Sequence, residues 1–303
     1  MAKTFRVDET ESDIRIDTFL AGLFETYSRT KIQEMIKSGK VLVNGKSCKP
    51  SLTLNLDDEI LCNFSDEENK ILPENLDIDV VFETDDFVII NKPSGMLTHP
   101  TSKEKSGTLV NALLYRYGEN LSDINGDYRR GIIHRLDRNT SGLLIVAKNN
   151  TAHEKFAQMI KNRNIEKHYR AIVKGRMDSD IIINEPITRS KSNPNKMCVS
   201  KDGKPSLSEV KLIKQFHNAT YIDVNLKTGR THQIRVHLSH IGHPVFNDTL
   251  YGFGKMKIKT EEQVLQSYKL KFINPFDDKL INIEIKPDEK IIKVLDYLER
   301  GNL

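Results

Sequence analysis

The spacing of apolar residues divides the start of the chain into two short helices followed by a small sheet. Residues 14–23 carry apolar side chains at helical spacing, and a second helix is predicted from Ser28, as its N-cap, to a stop at Gly39. Alternation over residues 40–43, the hairpin turn Asn44-Gly45 and an apolar return over residues 59–62 predict the strands. These patterns predict a small domain of two helices plus a sheet.

In the rest of the chain, strands outnumber helices and often follow one another directly. The patterns predict strands over residues 79–83, 87–91, 142–147, 169–173, 209–215, 220–226, 269–273 and 280–285. They predict helices over residues 108–117, from a capping box at Thr151 to Glu154, within residues 232–241, and from Glu289. We therefore expect an α+β fold with a mixed, largely antiparallel sheet flanked by helices, rather than a doubly wound fold.

Charge is distributed unevenly along the 303 residues, although 46 Lys and Arg against 42 Asp and Glu leave a net charge of only +4. Residues 28–49 hold six bases and one acid (+5), residues 66–86 hold nine acids and one base (−8), and residues 126–176 hold twelve bases and four acids (+8). Two basic blocks that flank an acidic stretch favour two modules that face a polyanion. We place domains at residues 1–65 and 79–303, joined by an acidic linker at residues 66–78.

Cysteine usage and hydropathy limit the class of protein. The three cysteines, Cys48, Cys62 and Cys198, are odd in number and unevenly spaced, so neither a disulfide framework nor a zinc cluster is indicated. Acidic residues stand near the N-terminus where a signal peptide needs an apolar segment, and the longest apolar runs are too short to span a bilayer. We therefore expect a cytoplasmic protein that does not contact membranes.

The first segment with candidate chemistry is GIIHRLDRNTSGLLIVAK, residues 131–148. Asp137 lies between Arg135 and Arg138 in a turn that interrupts two apolar runs. Nearby cations favour the ionised carboxylate, which could then act as a base, a nucleophile or a metal ligand. For the motif taken alone, a turn-forming aspartate that caps its own backbone is the favoured explanation.

The second segment is LKTGRTHQIRVHLSHIGHPVFNDTLYG, residues 226–252. A metal site would need His237, His240 and Asp248 to converge, but the usual E-x-x-H partnership is missing. A strand-to-helix corner with hydrogen-bonded histidines is the favoured interpretation, and we expect no metal. Because the sequence contains neither a dinucleotide fingerprint nor a P-loop, we expect no cofactor.

Together with KHYRAIVKG at residues 167–175, these two segments closely resemble the RluA/RluD family of RNA pseudouridine synthases. The motifs HRLDRNTSGLLIVAK and GRTHQIRVH are highly specific, and the match runs in family order over about residues 80–252. The strings RIDTFL and SRTKIQEMIKSGKVLVNGK resemble the alpha-L RNA-binding domain, which commonly precedes the catalytic domain in this family. The resemblance implies a pseudouridine synthase fold and an isomerase that acts on RNA.

The resemblance also implies roles for individual residues. Asp137 would be the catalytic aspartate, Tyr169 would stack on the target uracil and assist removal of its C5 proton, and Arg235 would pair with Asp137. Ile234 would form the apolar floor under the base, and Arg135 would fill the gap that the flipped nucleotide leaves. Further substrate-binding positions are Thr140, Arg230, His232 and Gln233, and the RNA-binding face of the first domain would carry Arg15, Arg29, Lys31 and Lys37.

The expected reaction is the site-specific isomerisation of uridine to pseudouridine, which requires the nucleotide to be flipped out of the RNA stack. The alpha-L domain favours large-subunit ribosomal RNA, and thus ribosome biogenesis, over transfer RNA. We expect a monomer. Two other classes remain as alternatives: a non-catalytic RNA-binding or ribosome-assembly factor, and a metal-dependent nuclease that uses the later histidines. The enzyme is favoured by the joint presence of Asp137, Tyr169 and Arg235. An acid in a basic surface weakens the attraction for RNA, so a protein that only binds RNA would have no reason to keep Asp137.

Overall fold

A computed structural model describes residues 2–8, 11–24, 27, 29–63, 70–101, 103–193, 195–252, 258 and 263–301. The chain forms two compact units, residues 1–70 and residues 71–303. Residues 66–69 of the predicted acidic linker lie outside the described part. Within the remainder of that linker, Ile71 and Ile78 are buried in the hydrophobic core of the second unit.

The first unit is a four-stranded antiparallel sheet with two helices. Its elements are β1 (Ala2–Arg6), α1 (Ile16–Leu23), α2 (Arg29–Lys37), β2 (Val41–Val43), β3 (Lys46–Ser47) and β4 (Glu59–Asn63). The strand order is β1-β4-β2-β3. Apolar residues of both helices, including Ile16, Leu20, Ile32 and Ile36, pack on strand residues such as Ile60. The predicted N-cap Ser28 lies outside the described residues, and β1 was not predicted.

The second unit holds eleven strands and four α-helices among the described residues. The strands are β5 (Asp79–Glu83), β6 (Phe87–Lys92), β7 (Ser141–Ala147), β8 (Glu166–Lys174), β9 (Ile181–Asn184), β10 (Ile187–Arg189), β11 (Met197–Val199), β12 (Leu207–Gln215), β13 (Ala219–Leu226), β14 (Leu265–Ile273) and β15 (Leu280–Glu284). The helices are α3 (Leu109–Tyr117), α4 (Asn150–Lys161), α5 (Gln233–His240) and α6 (Glu289–Glu299).

The main sheet has the order β5-β6-β7-β14-β8-β13-β12-β9, with β15 paired to β14. Of the strand pairs described, β7 with β14 is parallel and the others are antiparallel. The predicted α+β class with a largely antiparallel sheet is therefore confirmed.

Both faces of the central strands are buried, and successive side chains face opposite layers. Leu144 and Val146 of β7 pack into a core that includes α3, whereas Leu143, Ile145 and Ala147 pack into a core that includes α4. A strand buried on both faces reads as a continuous apolar run rather than an alternating one. This explains why residues 142–147 were recognisable from sequence.

Gly142 marks the place where β7 and β14 approach most closely. Its φ is +113°, and a Cβ added there would lie 2.0 Å from the backbone oxygen of Ser267. Only glycine leaves room for this contact. Gly142 is the second residue of β7, and the loop that carries Asp137 ends directly before this strand.

One predicted helix start was wrong. The proposed capping box at Thr151 to Glu154 does not form, because α4 already begins at Asn150 and its N-cap is Asn149. The Asn149 side chain accepts a hydrogen bond from the backbone N–H of Ala152 at 2.8 Å. An asparagine is as good an N-cap as a threonine. The pattern of polar residues therefore did not distinguish a helix start at Asn149 from one at Thr151.

Candidate active site

A cavity of about 550 Å³ opens in the second unit beside the loop of residues 133–140. Asp137 and Tyr169 line it, together with residues at the start of α5 such as Ile234 and Arg235. The three predicted catalytic residues therefore share one cavity, although they come from a loop, a strand and a helix. Polar groups that converge in a concave pocket are the ordinary form of a ligand site.

Buried hydrogen bonds hold the Asp137 loop in place. The fully buried ammonium of Lys92 donates to the carbonyl oxygen of Arg138 at 3.1 Å and to two carbonyl oxygens of its own turn. The hydroxyl of Thr98 donates to the carbonyl oxygen of Leu136 at 2.8 Å. The backbone N–H of Thr140 closes the turn on the carbonyl oxygen of Asp137 at 3.1 Å. The loop is therefore fixed from both sides of Asp137.

The Asp137 carboxylate contacts a buried ion-pair network. Arg235 donates from Nη1 to Oδ2 of Asp137 at 2.9 Å, as the resemblance implied. Its Nε and Nη2 bind the fully buried carboxylate of Asp248 at 2.7 and 2.9 Å. Burial alone would lower the pKa of Arg235, but the hydrogen bonds and charges of Asp248 and Asp137 outweigh it and raise the pKa above its ordinary value. Arg235 therefore remains a cation and is held rigidly toward Asp137.

The arginines next to Asp137 in sequence have other positions. Arg138 forms an ion pair with Glu104, and Arg135 is exposed at the cavity. The expected attraction of these two arginines for Asp137 stays a prediction. The side chain that does bind the carboxylate comes from 98 residues further along the chain.

His232 lines the cavity beside Asp137 and is held by Tyr251. His232 has a left-handed backbone conformation, with φ of 56°, directly before α5. Its Nδ1 lies 2.8 Å from the hydroxyl of Tyr251, and its Nε2 lies 3.9 Å from Oδ1 of Asp137. The same hydroxyl accepts a hydrogen bond from the backbone N–H of Met197, so its own proton is available for Nδ1. Burial lowers the pKa of His232 and favours its neutral form, whose proton then lies on Nε2, toward Asp137.

Tyr169 lies at the boundary between the cavity and the hydrophobic core. Its side chain is 6% exposed and belongs to the same apolar cluster as Ile234. Burial raises the pKa of Tyr169 to about 12, a hydrogen bond with Ser267 opposes the shift, and the charge of Asp137 adds to it. The phenol is therefore neutral at pH 7. The Tyr169 ring and the aliphatic side chain of Ile234 both line the cavity, and an aromatic ring is the kind of surface on which a base stacks.

Three of the predicted substrate-binding side chains use polar atoms in internal contacts. Thr140 accepts from Gln263 at 2.8 Å, and Arg230 donates from Nε to the carbonyl oxygen of Pro205 at 3.2 Å. The Gln233 amide is buried and bonded at both ends, to the N–H of Arg230 among others. These three residues line the cavity. Their polar contacts fix the shape of its wall.

The cavity is strongly cationic. Among the described residues, its lining contains eight basic side chains and one acid, Asp137, which gives an excess of seven positive charges with His neutral. The basic residues are Arg129, Arg135, Lys161, Arg163, Lys167, Lys227, Arg230 and Arg235. Such a cleft attracts a polyanion and orients it over the one carboxylate.

Both units of the chain match known protein families. Residues 86–240 match the model of the RNA pseudouridylate synthase family, and residues 14–60 match the S4 domain. The chain is 38% identical to an uncharacterized RNA pseudouridine synthase of Aquifex aeolicus, over 97% of this chain and 96% of that protein. This chain belongs to the RNA pseudouridine synthase family.

Two further proteins are similar to the synthase. It is 38% identical to the ribosomal large subunit pseudouridine synthase D of Escherichia coli, over 82% of this chain and 76% of that protein. The solved structure of human RNA pseudouridylate synthase domain containing 1 is 23% identical, with a TM-score of 0.58, and covers 75% of this chain and 96% of its own. The human structure shows that the fold is shared. The synthase is an isomerase that acts on RNA.

In the S4 domain of the synthase, two of the predicted RNA-binding arginines converge on one buried carboxylate. Arg15 and Arg29 each bind Asp17 at 3.0 Å and are about half exposed, while Gln33 donates to Asp17 at 2.6 Å. Burial alone would raise the pKa of Asp17, but the hydrogen bonds from Arg15, Gln33 and Arg29 lower it well below the ordinary value. The two guanidinium groups are thus held at a defined position with their other edges toward solvent.

The remaining predicted RNA contacts of the S4 domain lie on α2, on different flanks. Arg29 and Lys37 are eight residues apart and share a flank, since each residue turns the helix by about 100°. Lys31 is about 200° from Arg29, on the opposite flank, and lies 3.8 Å from Glu34. Helical geometry therefore separates Lys31 from Arg29 and Lys37 on α2, and RNA binding by all four residues stays a prediction.

His237, one of the later histidines of the synthase, has a structural role. His237 is buried and lies 2.9 Å from both the hydroxyl of Ser208 and the carbonyl oxygen of Glu185. Asp248, the third member of the disfavoured metal set, is occupied by Arg235. Within the described ranges, no group of three potential metal ligands is close enough to hold an ion, and no helix is long and apolar enough to cross a membrane.

Sequence reasoning missed three residues of the site. Tyr251 and Asp248 lie in the segment NDTLYG, which the sequence analysis considered only for metal binding. Lys167 stands two residues before Tyr169, and the strand period of two places both on one face of β8. That alternation is the signal that could have identified it.

Proposed function

We propose that this synthase converts uridine to pseudouridine in large-subunit ribosomal RNA, with Asp137 as the essential carboxylate. The observation that carries the proposal is the contact of Asp137 with Arg235, at 2.9 Å, in a cationic cavity that also contains Tyr169. The large-subunit target is supported by the name of the Escherichia coli relative, which shares 38% of its residues. The S4 domain, with its paired arginines, supports a structured RNA as the substrate.

The geometry suits a reaction on a flipped nucleotide. The N1–C1′ bond of the uridine must break and a C5–C1′ bond must form, and neither atom is accessible inside a base stack. Unstacking costs a few kcal/mol, and an aromatic platform offsets about 1–3 kcal/mol per base. Tyr169 would supply the ring, and Arg135, which is exposed at the cavity, would fill the gap in the RNA.

Asp137 would act on the flipped uridine as an ionised group. Attack at C6 of the base, attack at C1′ of the ribose and removal of the C2′ proton all need a carboxylate with a free oxygen, and each is compatible with this site. Arg235 engages Oδ2, which leaves Oδ1 directed toward the cavity and His232. Because the pKa of Tyr169 is about 12, the proposed help in removing the C5 proton would come from a neutral phenol rather than a phenolate.

Pseudouridine mapping tests the proposal directly. Total RNA from cells with and without the gene is treated with a pseudouridine-selective reagent and sequenced, and the deletion is complemented with the wild-type gene. We expect at least one site in large-subunit ribosomal RNA to disappear in the deletion and to return with complementation. If the sites lost in the deletion lie only in transfer RNA, the proposed large-subunit substrate is wrong and transfer RNA is the substrate. Activity that a chelator abolishes would instead support the metal-dependent nuclease.

A further inference from the structure

Lys167 is a buried cation on the same face of β8 as Tyr169. Residues two apart on a strand point to the same side, and Lys167, Tyr169 and Ala171 are all buried there. Lys167 is 7% exposed and lines the active-site cavity. Adjacent side chains on one face of a strand lie about 7 Å apart, since the strand rises about 3.3 Å per residue. A uracil on the Tyr169 ring would therefore have the Lys167 side chain at its edge.

This lysine lacks the partners that other enclosed lysines of the chain have. Lys92 donates to three carbonyl oxygens, and Lys227 at the cavity forms a 3.1 Å ion pair with Glu209. Across the described residues, Lys167 makes neither a hydrogen bond nor an ion pair through its ammonium. Burial lowers the pKa of Lys167, as expected for a desolvated cation without an anion. Such a charge is costly unless a ligand compensates it.

Gly229 keeps the ammonium accessible from the cavity. A Cβ added at Gly229 would lie 3.9 Å from Nζ of Lys167, and Gly229 also lines the cavity. The side chain of any other residue would therefore extend from a point next to the ammonium. The absence of a side chain leaves space for a ligand atom beside Nζ.

The chemistry of this space favours a phosphate oxygen over a base carbonyl. The only acid in the described cavity lining is Asp137, and its Oδ2 already binds Arg235, so the protein offers Lys167 no counter-charge. A neutral carbonyl would leave the charge uncompensated, whereas an anionic oxygen supplies both the hydrogen bond and the charge. Building on the proposed function, we propose that Lys167 binds a phosphodiester group of the flipped nucleotide and so anchors it over Tyr169.

The test compares neutral and charged replacements of Lys167 with a matched control. Lys167→Met and Lys167→Gln remove the charge, and Lys167→Arg keeps it. Lys271→Met removes a half-buried lysine that pairs with Glu166 outside the cavity. Unmodified large-subunit ribosomal RNA, transcribed in vitro, is the probe. Equilibrium binding and the single-turnover rate of pseudouridine formation are measured at several salt concentrations, and thermal melting confirms that each variant is folded.

We expect both neutral variants to lose about 10- to 100-fold in the apparent second-order rate constant, as for the loss of one charge-assisted contact. The slope of log affinity against log salt should become shallower by about 0.7, the change for one phosphate contact to a single strand. Lys167→Arg should keep the wild-type slope, and Lys271→Met should match the wild type in both measurements.

Two results would overturn the assignment of Lys167. A fall in rate with an unchanged salt slope would place the lysine on the uracil rather than on a phosphate, and unchanged rate and slope would remove it from substrate binding. The binding measurement does not depend on turnover. If the wild-type chain binds the transcript but forms no pseudouridine in it, the proposed function fails while the slope comparison still decides the role of Lys167.

Discussion

Replacing Asp248 with asparagine would test whether the buried network holds Arg235 toward Asp137. Oδ1 of Asp248 accepts from Nη2 of Arg235 at 2.9 Å and from the backbone N–H groups of Leu250 and Tyr251 at 3.0 Å. Its Oδ2 accepts from Nε of Arg235 at 2.7 Å. An asparagine oxygen at the Oδ1 position preserves the first three bonds. Its amide group then faces Nε of Arg235, so that two donors meet.

The cost follows from these contacts. Asp248→Asn removes one charge-assisted bond, creates a donor facing a donor and leaves the guanidinium without its buried counter-charge. Breaking a buried ion pair by changing one partner costs about 3–5 kcal/mol. For a unit of this size each kcal/mol lowers the melting temperature by about 2–4 °C, so we expect a decrease of roughly 6–20 °C. A displaced Arg235 no longer fixes Asp137, and misplacement by about 1 Å costs on the order of 100-fold in rate.

Thermal melting and single-turnover pseudouridine formation, at a temperature where the variant is folded, measure the two effects. The matched control is Asp277→Asn, which breaks an exposed 3.0 Å ion pair with Lys279. We expect this control to melt and react like the wild type, since exposed ion pairs contribute little. An Asp248→Asn variant that melts within 2 °C of the wild type and keeps its rate would refute the reasoning that Asp248 positions Arg235.

Three further predictions concern packing, stacking and pH. Gly142→Ala should prevent correct folding of the second unit, because the new Cβ would lie 2.0 Å from the backbone oxygen of Ser267. The control Gly22→Ala, whose Cβ would have no atom within 4 Å, should give soluble protein. Equal solubility of the two variants would contradict the close approach at Gly142. Tyr169→Phe should keep RNA affinity but slow turnover if the hydroxyl assists removal of the C5 proton. Tyr169→Ala should lose about ten- to hundred-fold in binding of the flipped base. Wild-type activity of the Tyr169→Ala variant would contradict a role of Tyr169 in the site. Since folding lowers the pKa of Asp17, the ionised carboxylate stabilises the S4 domain above about pH 4, and this stability is lost as pH falls through the folded pKa. Acid melting curves of the wild type and of Asp17→Asn should therefore differ in slope, and parallel curves would contradict the shift.

Much of the fold was predictable because buried strands and helix faces have a recognisable pattern of apolar residues in the sequence. The strands of residues 87–92 and 141–147 are buried on both faces and therefore read as unbroken apolar runs. The short strands of residues 181–199 were missed, since they are partly exposed and carry no clear alternation. The start of α4 was misplaced because Asn149 and Thr151 are both acceptable N-caps.

The active site shows the same difference between features set by local sequence and features set by the tertiary fold. Local sequence suggested that Arg135 and Arg138 neutralise Asp137, yet Arg138 binds Glu104 and Arg135 faces the cavity. The partner of Asp137 is Arg235, 98 residues away, and such a contact is set by the tertiary fold. The motif resemblance supplied this pair. The strand period of two places Lys167 on the same face as Tyr169. Local charge identified neither Lys167 nor Asp248, because their environment depends on strands and helices that meet only after folding.

Asp137→Asn tests the central claim most directly. The change is nearly isosteric and still allows the amide oxygen to accept from Nη1 of Arg235, which lies 2.9 Å from the carboxylate in the wild type. Purified variant and wild type are each incubated in excess with unmodified large-subunit ribosomal RNA, and pseudouridine is quantified over time beside RNA binding. We predict binding equal to or slightly tighter than that of the wild type, since one negative charge has left a cationic cavity, with pseudouridine formation below detection. Appreciable pseudouridine formation by the folded variant would contradict the assignment of Asp137 as the essential carboxylate.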